Sequence, residues 1–338
     1  MARGSRRSEQ QRTAEPMSIR HAISLIASIA ALTFLSAPAQ SQTYPQKPIT
    51  FIVPFGAGGG TDVIGRMLQE ELRKELGQPI VIDDRPGANG AIGSRYAAKA
   101  APDGYTMLLT ASSTFSLNPN IMKDPQYDQL NDFVPVGFIV RAPWMLVVNE
   151  KSGYKSVADV VKAAKEHPGK LTAGYWQSSV EVTTEVFQRA ADVKLLKVPY
   201  KSVVEAVTDL LAGRTDMLFV DIQAVRAYIA TGQLRYLAAS TAQRVAVAPN
   251  VPTLTESGFP VVTDASVALF APAKTPKPVL ERMNAAMVKV VSEPGIRKKL
   301  MDLGHDPGTM TLAQLDAFVR SEMTKWHDMI ETAGIPKK

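Results

Sequence analysis

The chain has 338 residues, a formal net charge of +6, four histidines and no cysteine. That inventory excludes a disulfide framework, a thiolate nucleophile and a cysteine-ligated metal. Five arginines against two acids in the first 39 residues account for half of the excess charge, so the rest carries +3 and nucleic-acid binding loses its compositional support.

The opening segment reads as an export signal, residues 1–39. Arg20 precedes an apolar core at residues 22–35, and Ala37-Pro38-Ala39 supplies an A-x-A cleavage site. The apolar run has 14 residues, short of the ~20 that span a bilayer. Met17 would start a compact signal by itself, so residues 1–16 are either a mis-assigned start or a long charged lead. The remaining chain suits two domains of ordinary size.

Past a polar lead-in, residues 49–53 (ITFIV, between Pro48 and Pro54) form an apolar, β-branched run that predicts a short buried strand of a parallel sheet. The run breaks into Phe55-Gly56-Ala57-Gly58-Gly59-Gly60-Thr61. After Asp62, residues Val63, Ile64, Met67, Leu68, Leu72 and Leu76 recur at helical spacing. Glycines let this loop turn sharply and expose its amides. The helix start adds unpaired N–H donors and a partial positive charge. The stretch therefore suits a carboxylate or phosphate, although a tight turn with Thr61 as N-cap uses the same residues.

Further strands are predicted at residues 80–82, 105–110, 133–140, 144–148, 171–174, 193–199, 217–220, 234–239 and 266–270. Helices are predicted at 94–99, 155–167, after residue 179 to about 191, and at 202–212, 223–231 and 278–291. A last amphipathic helix carries Leu312, Leu315, Phe318, Val319, Met323, Trp326 and Ile330. A second glycine-rich loop fills residues 83–93. Ser112, Ser113 and Thr114 fall just past the carboxyl end of the third strand, the edge at which open parallel sheets bind ligands. The alternation argues an α/β fold with parallel sheets. Two such units crossed twice by the chain would leave a cleft, a favoured ligand site.

The chemistry inventory is thin. His167, His305 and His327 are isolated near predicted helix ends or turns and read as surface residues. No H-E-x-x-H, G-x-S-x-G or G-K-[ST] motif occurs. Asp83 and Asp84 are strand neighbours that point to opposite faces, which favours a solvated strand end over an acid pair. A dinucleotide fold is a competing alternative: Gly56-x-Gly58 follows a strand, and Asp83 stands 23 residues after Gly60. Against it, Thr61 occupies the third glycine position, and Asp62 sets a carboxylate beside the pyrophosphate place.

Phe55-Gly56-Ala57-Gly58-Gly59-Gly60-Thr61-Asp62 is similar to an F-A-x-G-G-x-x-D motif. Residues 84–93 (DRPGANGAIG) resemble N-R-P-G-A-G-G-x-x-G, and residues 101–106 (APDGYT) match A-P-D-G-Y-T. Val198-Pro199-Tyr200-Lys201, Val251-Pro252-Thr253 and the segment LFAPAKTP at 269–276 continue the series in order. On these motifs the chain resembles the Bug-type extracytoplasmic solute receptors of tripartite tricarboxylate transporters. The resemblance implies a periplasmic binding protein of type II (Venus flytrap), α/β with two parallel or mixed-sheet domains joined by crossover strands. It places domain I at residues 44–145 plus 266–338 and domain II at 146–265. It further implies a periplasmic location, a small carboxylic acid ligand, membrane permease subunits as partners, a monomer, no catalysis and no cofactor or metal. A sensor protein in place of the permease is the alternative partner.

In such receptors a ligand carboxylate is held at the loop after the first strand. That carries over to Phe55, Gly56, Ala57, Gly58, Gly59, Gly60 and Thr61, with Asp62 turned away. The second domain departs from the family pattern: Gly174-Tyr175-Trp176-Gln177-Ser178-Ser179 is short and lacks later glycines, Glu181 stands where His is common, and Asp221 ends a strand. Expected ligand contacts are hydroxyls of Ser112, Ser113, Ser178 and Ser179, aromatic walls from Tyr175 and Trp176, and Asp221. Tyr175 and Trp176 could equally fill space between the domains.

Overall fold

The computed structural model describes residues 44–337; the expected signal peptide lies outside them. Two sheets organise the chain, one of six strands and one of five. The first lobe runs β1 (Ile49–Val53), α1 (Gly60–Leu76), β2 (Ile80–Asp84), α2 (Ala91–Ala98), β3 (Thr106–Ala111), α3 (Asn118–Ile121) and β4 (Phe133–Pro143). Lobe II continues with β5 (Met145–Asn149), α4 (Val157–Glu166), β6 (Thr172–Tyr175), α5 (Ser178–Ala191), β7 (Leu196–Pro199), α6 (Val203–Leu211), β8 (Met217–Val220), α7 (Ile222–Ala230) and β9 (Leu234–Ala239). The chain returns to lobe I through β10 (Asp264–Pro272), α8 (Lys277–Ser292), α9 (Pro294–Asp302), β11 (Asp306–Pro307) and α10 (Leu312–Thr332).

Sheet order is β11-β4-β10-β3-β1-β2 in lobe I and β7-β6-β8-β5-β9 in lobe II. The pairs β1/β2, β1/β3, β6/β7 and β6/β8 are parallel, as the strand–helix alternation predicts. The strands that carry the chain between lobes are not: β10 is antiparallel to β3 and β4, and β5 to β8 and β9. Both sheets are therefore mixed, one of the two arrangements the resemblance implied, where the strand–helix alternation alone argued parallel sheets. A strand that leaves one sheet to enter another arrives without the crossover helix a parallel pair requires.

Each sheet is packed on both faces. In lobe I, Ile64, Leu68 and Leu72 of α1 join Met283 and Met287 of α8 against Phe51 and Leu109. Leu315, Phe318 and Val319 of α10 cover Leu108 and Phe270 on the opposite face. Lobe II buries Val157, Val160 and Ala164 of α4 and Phe187 of α5 on one face, and Ala206, Leu210 and Val225 of α6 and α7 on the other. Periodicity foretold the faces of α1 and α10 because a stripe facing a sheet needs apolar residues every three or four positions. It missed α9 and β11, whose short segments carry too little pattern.

A further cluster joins the lobes: Val182 of α5 packs with Leu117, Ile121, Trp326 and Ile330 of lobe I, all buried. A second contact lies where α7 meets the turn after α9. A side chain at Gly304 would come within 2.7 Å of Ile222, and Arg226 donates to the Asp302 carbonyl. His305 in this turn is 8% exposed, not a surface residue as expected. Both its ring nitrogens lack partners, and burial lowers its pKa to about 4. Its position after a short helix gave no sign of that burial. His167 and His327 are exposed, as expected. Among the described residues no helix is long and apolar enough to cross a membrane.

Candidate functional site

Strands β3, β1 and β2 are neighbours and parallel, so their carboxyl ends and the loops that follow come out on one edge. These are residues 54–59, 85–90 and 112–117. They are tied together closely. Gly90, at φ 86°, sits where any Cβ would overlap Thr114 and press on Pro54 and Phe55, so this crossing requires glycine. Asn118 donates to the Asn89 carbonyl at 2.9 Å and to Tyr127 Oη at 3.2 Å.

In the first loop, Gly56, Ala57, Gly58 and Gly60 are exposed, Phe55 and Gly59 half-buried and Thr61 buried. Part of its donor capacity is already used. Gly59 N–H donates to the Gly56 carbonyl at 3.1 Å, and Gly58 N–H to Asp62 Oδ2 at 2.7 Å. Asp62 is thus not turned away as expected. It folds back over the loop, 2% exposed, and its other oxygen lies 2.7 Å from Arg66 Nε. Arg66 also pairs with Asp84 at 3.0 Å. Burial, and then the nearby Asp62, raise the Asp84 pKa, so the adjacent acids do differ in environment: Asp83 pairs outward with Arg85. Helix α1 starts from Gly59 without a side-chain cap, so Thr61 does not cap it. The amides of Gly60, Thr61 and Asp62 have no intrahelical acceptor and lie in the positive end of a 17-residue helix.

The second loop ends the same way, with α2 starting from Gly90 uncapped. The third becomes a π-helical turn, Ser113–Leu117, leading into α3, a feature the sequence did not announce. Ser112 is fully buried and its Oγ accepts the Ser266 N–H at 3.2 Å. Its hydroxyl ties β3 to β10 as an acceptor and keeps its own O–H to donate. Ser113 Oγ is buried with no partner.

Lobe II meets this edge with α5. The helix starts from Gln177 without a side-chain cap. Ser178 Oγ donates across the lobes to Asn118 Oδ1 at 3.4 Å, so that expected donor already holds the lobes together. Ser179 and Thr183 are 1% and 0% exposed, and neither hydroxyl has a partner. Thr183 and Asn118 were not singled out from the sequence. A small polar residue inside a helix, or after a turn, carries no signal until its neighbours are known.

The other expected residues of lobe II are differently placed. Trp176 is half-buried and packs edge-on against Trp144, ring centres 6.5 Å apart at 80°. Tyr175 is half-buried beside the same core. Asp221 caps α7, accepting the Ala224 N–H at 2.9 Å, and burial raises its pKa. Its Oδ1 is engaged by its own helix. Among the described residues no three His, Asp or Glu gather to hold a metal ion.

The arrangement offers two uncapped helix starts on one lobe, one on the other, and buried hydroxyls between, with few cations. Neutral donors of this kind hold an oxygen-rich anion without a counter-charge. Residues 64–335 match the model of the tripartite tricarboxylate transporter family receptor. Protein BugT of Bordetella pertussis is 32% identical over 326 residues, covering 95% of this chain and all of BugT. Among solved structures, R. palustris Rpa4515 with adipate superposes with a TM-score of 0.83 at 30% identity, over 87% of this chain and 100% of that one. MatC from Rhodopseudomonas palustris with bound malate follows at 0.78 and 27%, over 85% and 100%. The chain belongs to the receptor family of the tripartite tricarboxylate transporters and is a solute-binding protein with two mixed-sheet α/β domains.

Proposed function

We propose that this receptor captures a small carboxylic acid between its lobes, in the periplasm, and hands it to the membrane permease of a tripartite transporter, without chemical change. The observation that carries this reading is the open start of α1 facing the same edge as the unpaired hydroxyls of Ser113 and Ser179. The amides of Gly60 and Thr61, in the loop begun by Phe55, Gly56 and Ala57, take one carboxylate. Ser113 and Ser179 act from the floor, and Tyr175 borders the space. The adipate and malate in two related structures support an acid of a few carbons. We divide the lobes at residues 145/146 and 265/266, just inside the first residues of β5 and β10, the strands by which the chain enters each lobe. We assign residues 1–39 to export.

The test is a thermal-shift screen of short mono- and dicarboxylic acids, followed by mass spectrometry of acid released from purified protein. A ligand at 100 times its dissociation constant raises stability by roughly 2.7 kcal/mol. Melting unmoved by every acid, with a shift from nicotinamide cofactors instead, would overturn the receptor reading.

A further inference from the structure

The second loop of the lobe I edge is wound left-handed. Ala88 and Asn89 sit at φ 47° and 52°, and Gly90 follows at 86°. Two side-chain-bearing residues in succession are costly there, Ala88 more than Asn89, because a Cβ crowds the following carbonyl. Both residues are exposed, so burial of their own side chains does not hold the shape. Within the turn, the Gly90 N–H reaches the Gly87 carbonyl at 3.0 Å. From outside it, Asn118 supplies the hold. This fully buried residue donates to the Asn89 carbonyl at 2.9 Å and to Tyr127 Oη at 3.2 Å. Tyr127 in turn donates to the Thr114 carbonyl at 2.6 Å, and Thr114 is the residue against which Gly90 is pressed. The Asn118 oxygen accepts from Ser178 of lobe II, a bond that needs both lobes in place.

We propose that Asn118 is a positioning residue for acid capture: it holds residues 87–90 in their left-handed shape, and that loop braces the first loop, where the carboxylate is taken. The inference rests on the carboxylate reading of the first loop. The brace is close. A Cβ at Gly90 would stand 3.4 Å from Pro54 and 3.5 Å from Phe55, the residues that lead β1 into its glycines. A Cβ at Gly93 would lie 2.8 Å from Pro54. Rewinding residues 88–90 to negative φ therefore moves the surface on which Pro54 and Phe55 rest. Both amide hydrogens of Asn118 are spent on Asn89 and Tyr127, so it acts through the loop rather than on the acid. The bond from Ser178 polarises the same amide and strengthens its donation, so the loop is held best with the lobes together.

The test is titration calorimetry with butyrate, succinate, malate and adipate as probes, on variants that raise or remove the cost of the turn. Asn118→Ala should weaken the acids that the wild-type protein binds by about tenfold, the worth of one non-glycine residue in the left-handed region. In an Ala88→Gly background the first left-handed residue has no Cβ to crowd. There the same change should cost no more than about threefold, a non-additivity that arises only if Asn118 acts through the turn. Ala88→Val keeps Asn118 and sets an exposed, β-branched residue at positive φ. It should also weaken binding about tenfold, and it carries the test should Asn118→Ala not fold. Asn118→Ala protein that melts lower at unchanged affinity would overturn the proposal and make the residue structural. An equal loss in both backgrounds would overturn it by placing Asn118 on the acid itself, and so would wild-type affinity in Ala88→Val. Each of these, with the wild-type protein binding acid, overturns this inference alone; no binding of any acid by the wild-type protein overturns it together with the receptor reading.

Discussion

Along the carboxyl edge of the lobe II sheet, two helix starts are closed by the protein's own side chains and one is left open. Ser202 caps α6 and Asp221 caps α7, while α5 begins from Gln177 with no side-chain bond. Lobe I leaves both starts on its matching edge open, at Gly59 and Gly90, and caps α9 and α10 with Glu293 and Thr311 elsewhere. A cap is worth about 1 kcal/mol. Helix α8 is also uncapped, at Pro276, but it follows β10, which runs antiparallel to β3; the open starts of α1, α2 and α5 instead follow strands at the carboxyl edges of their sheets, where an incoming anion would find the amides.

Closing the open start in lobe I should have the largest effect. Gly59 already has the extended backbone of an N-cap, φ −71° and ψ 162°, and a Cβ there would lie 3.0 Å from the Gly56 carbonyl oxygen, tight but with open space beyond. Gly59→Asp puts a permanent carboxylate over the amides of Thr61 and Asp62. Acid affinity should fall by about a thousandfold, the worth of two charge-assisted hydrogen bonds, while melting in the absence of acid holds or rises. Calorimetry showing undiminished affinity would break the link between open starts and binding.

The buried turn after α9 can be tested by pH. His305 is pulled down to about 4 from 6.5, so the folded state favours the neutral ring. Its contribution is fully present above pH 6.5 and is lost as pH falls toward 4, amounting to about 3 kcal/mol. Denaturant titrations at pH 7 and pH 4.5 should show that loss, and His305→Asn should flatten the slope within this window. An unchanged slope in the variant would mean that the acids elsewhere carry the whole dependence.

How far the sequence could be read differs along the same divide. The glycine loop, the strand ends and the faces of α1, α4 and α10 were legible because each depends on residues close in the chain. The bond of Ser112 to Ser266 was not legible because the two are 154 residues apart. Asp62 was misread because whether it turns outward or folds back depends on Arg66 and on the end of β2. The burial of His305 and the unpaired state of Thr183 appear only once the chain is folded. Local pattern sets elements, whereas the fate of a polar side chain is a long-range question.

Trp176→Ala separates wall from filler on the lobe II side. The edge-on pair with Trp144 and the half-buried ring make a loss of about 2 kcal/mol in stability the expected cost. Affinity for the captured acid should stay within about threefold, since packing against Trp144 turns the ring's edge away from service as a platform. A loss of affinity much greater than the change in stability would restore Trp176 to the ligand's surroundings.

The smallest effect is expected at a closed start. Asp221 accepts the Ala224 N–H at 2.9 Å, and removing it by Asp221→Ala exposes orphan amides in the first turn of α7. That costs about 1 kcal/mol, less whatever is regained by no longer burying a carboxylate whose pKa burial has raised. The two terms oppose, so the net change in melting should be small and should shrink at low pH, where the wild-type carboxyl is protonated and a weaker cap. Acid affinity should not change, because the group is spent on its own helix. If Asp221→Ala instead admitted or excluded particular acids, the closed starts of lobe II would be part of recognition too, and the contrast between open and closed helices would mark degrees of selectivity rather than a division of labour.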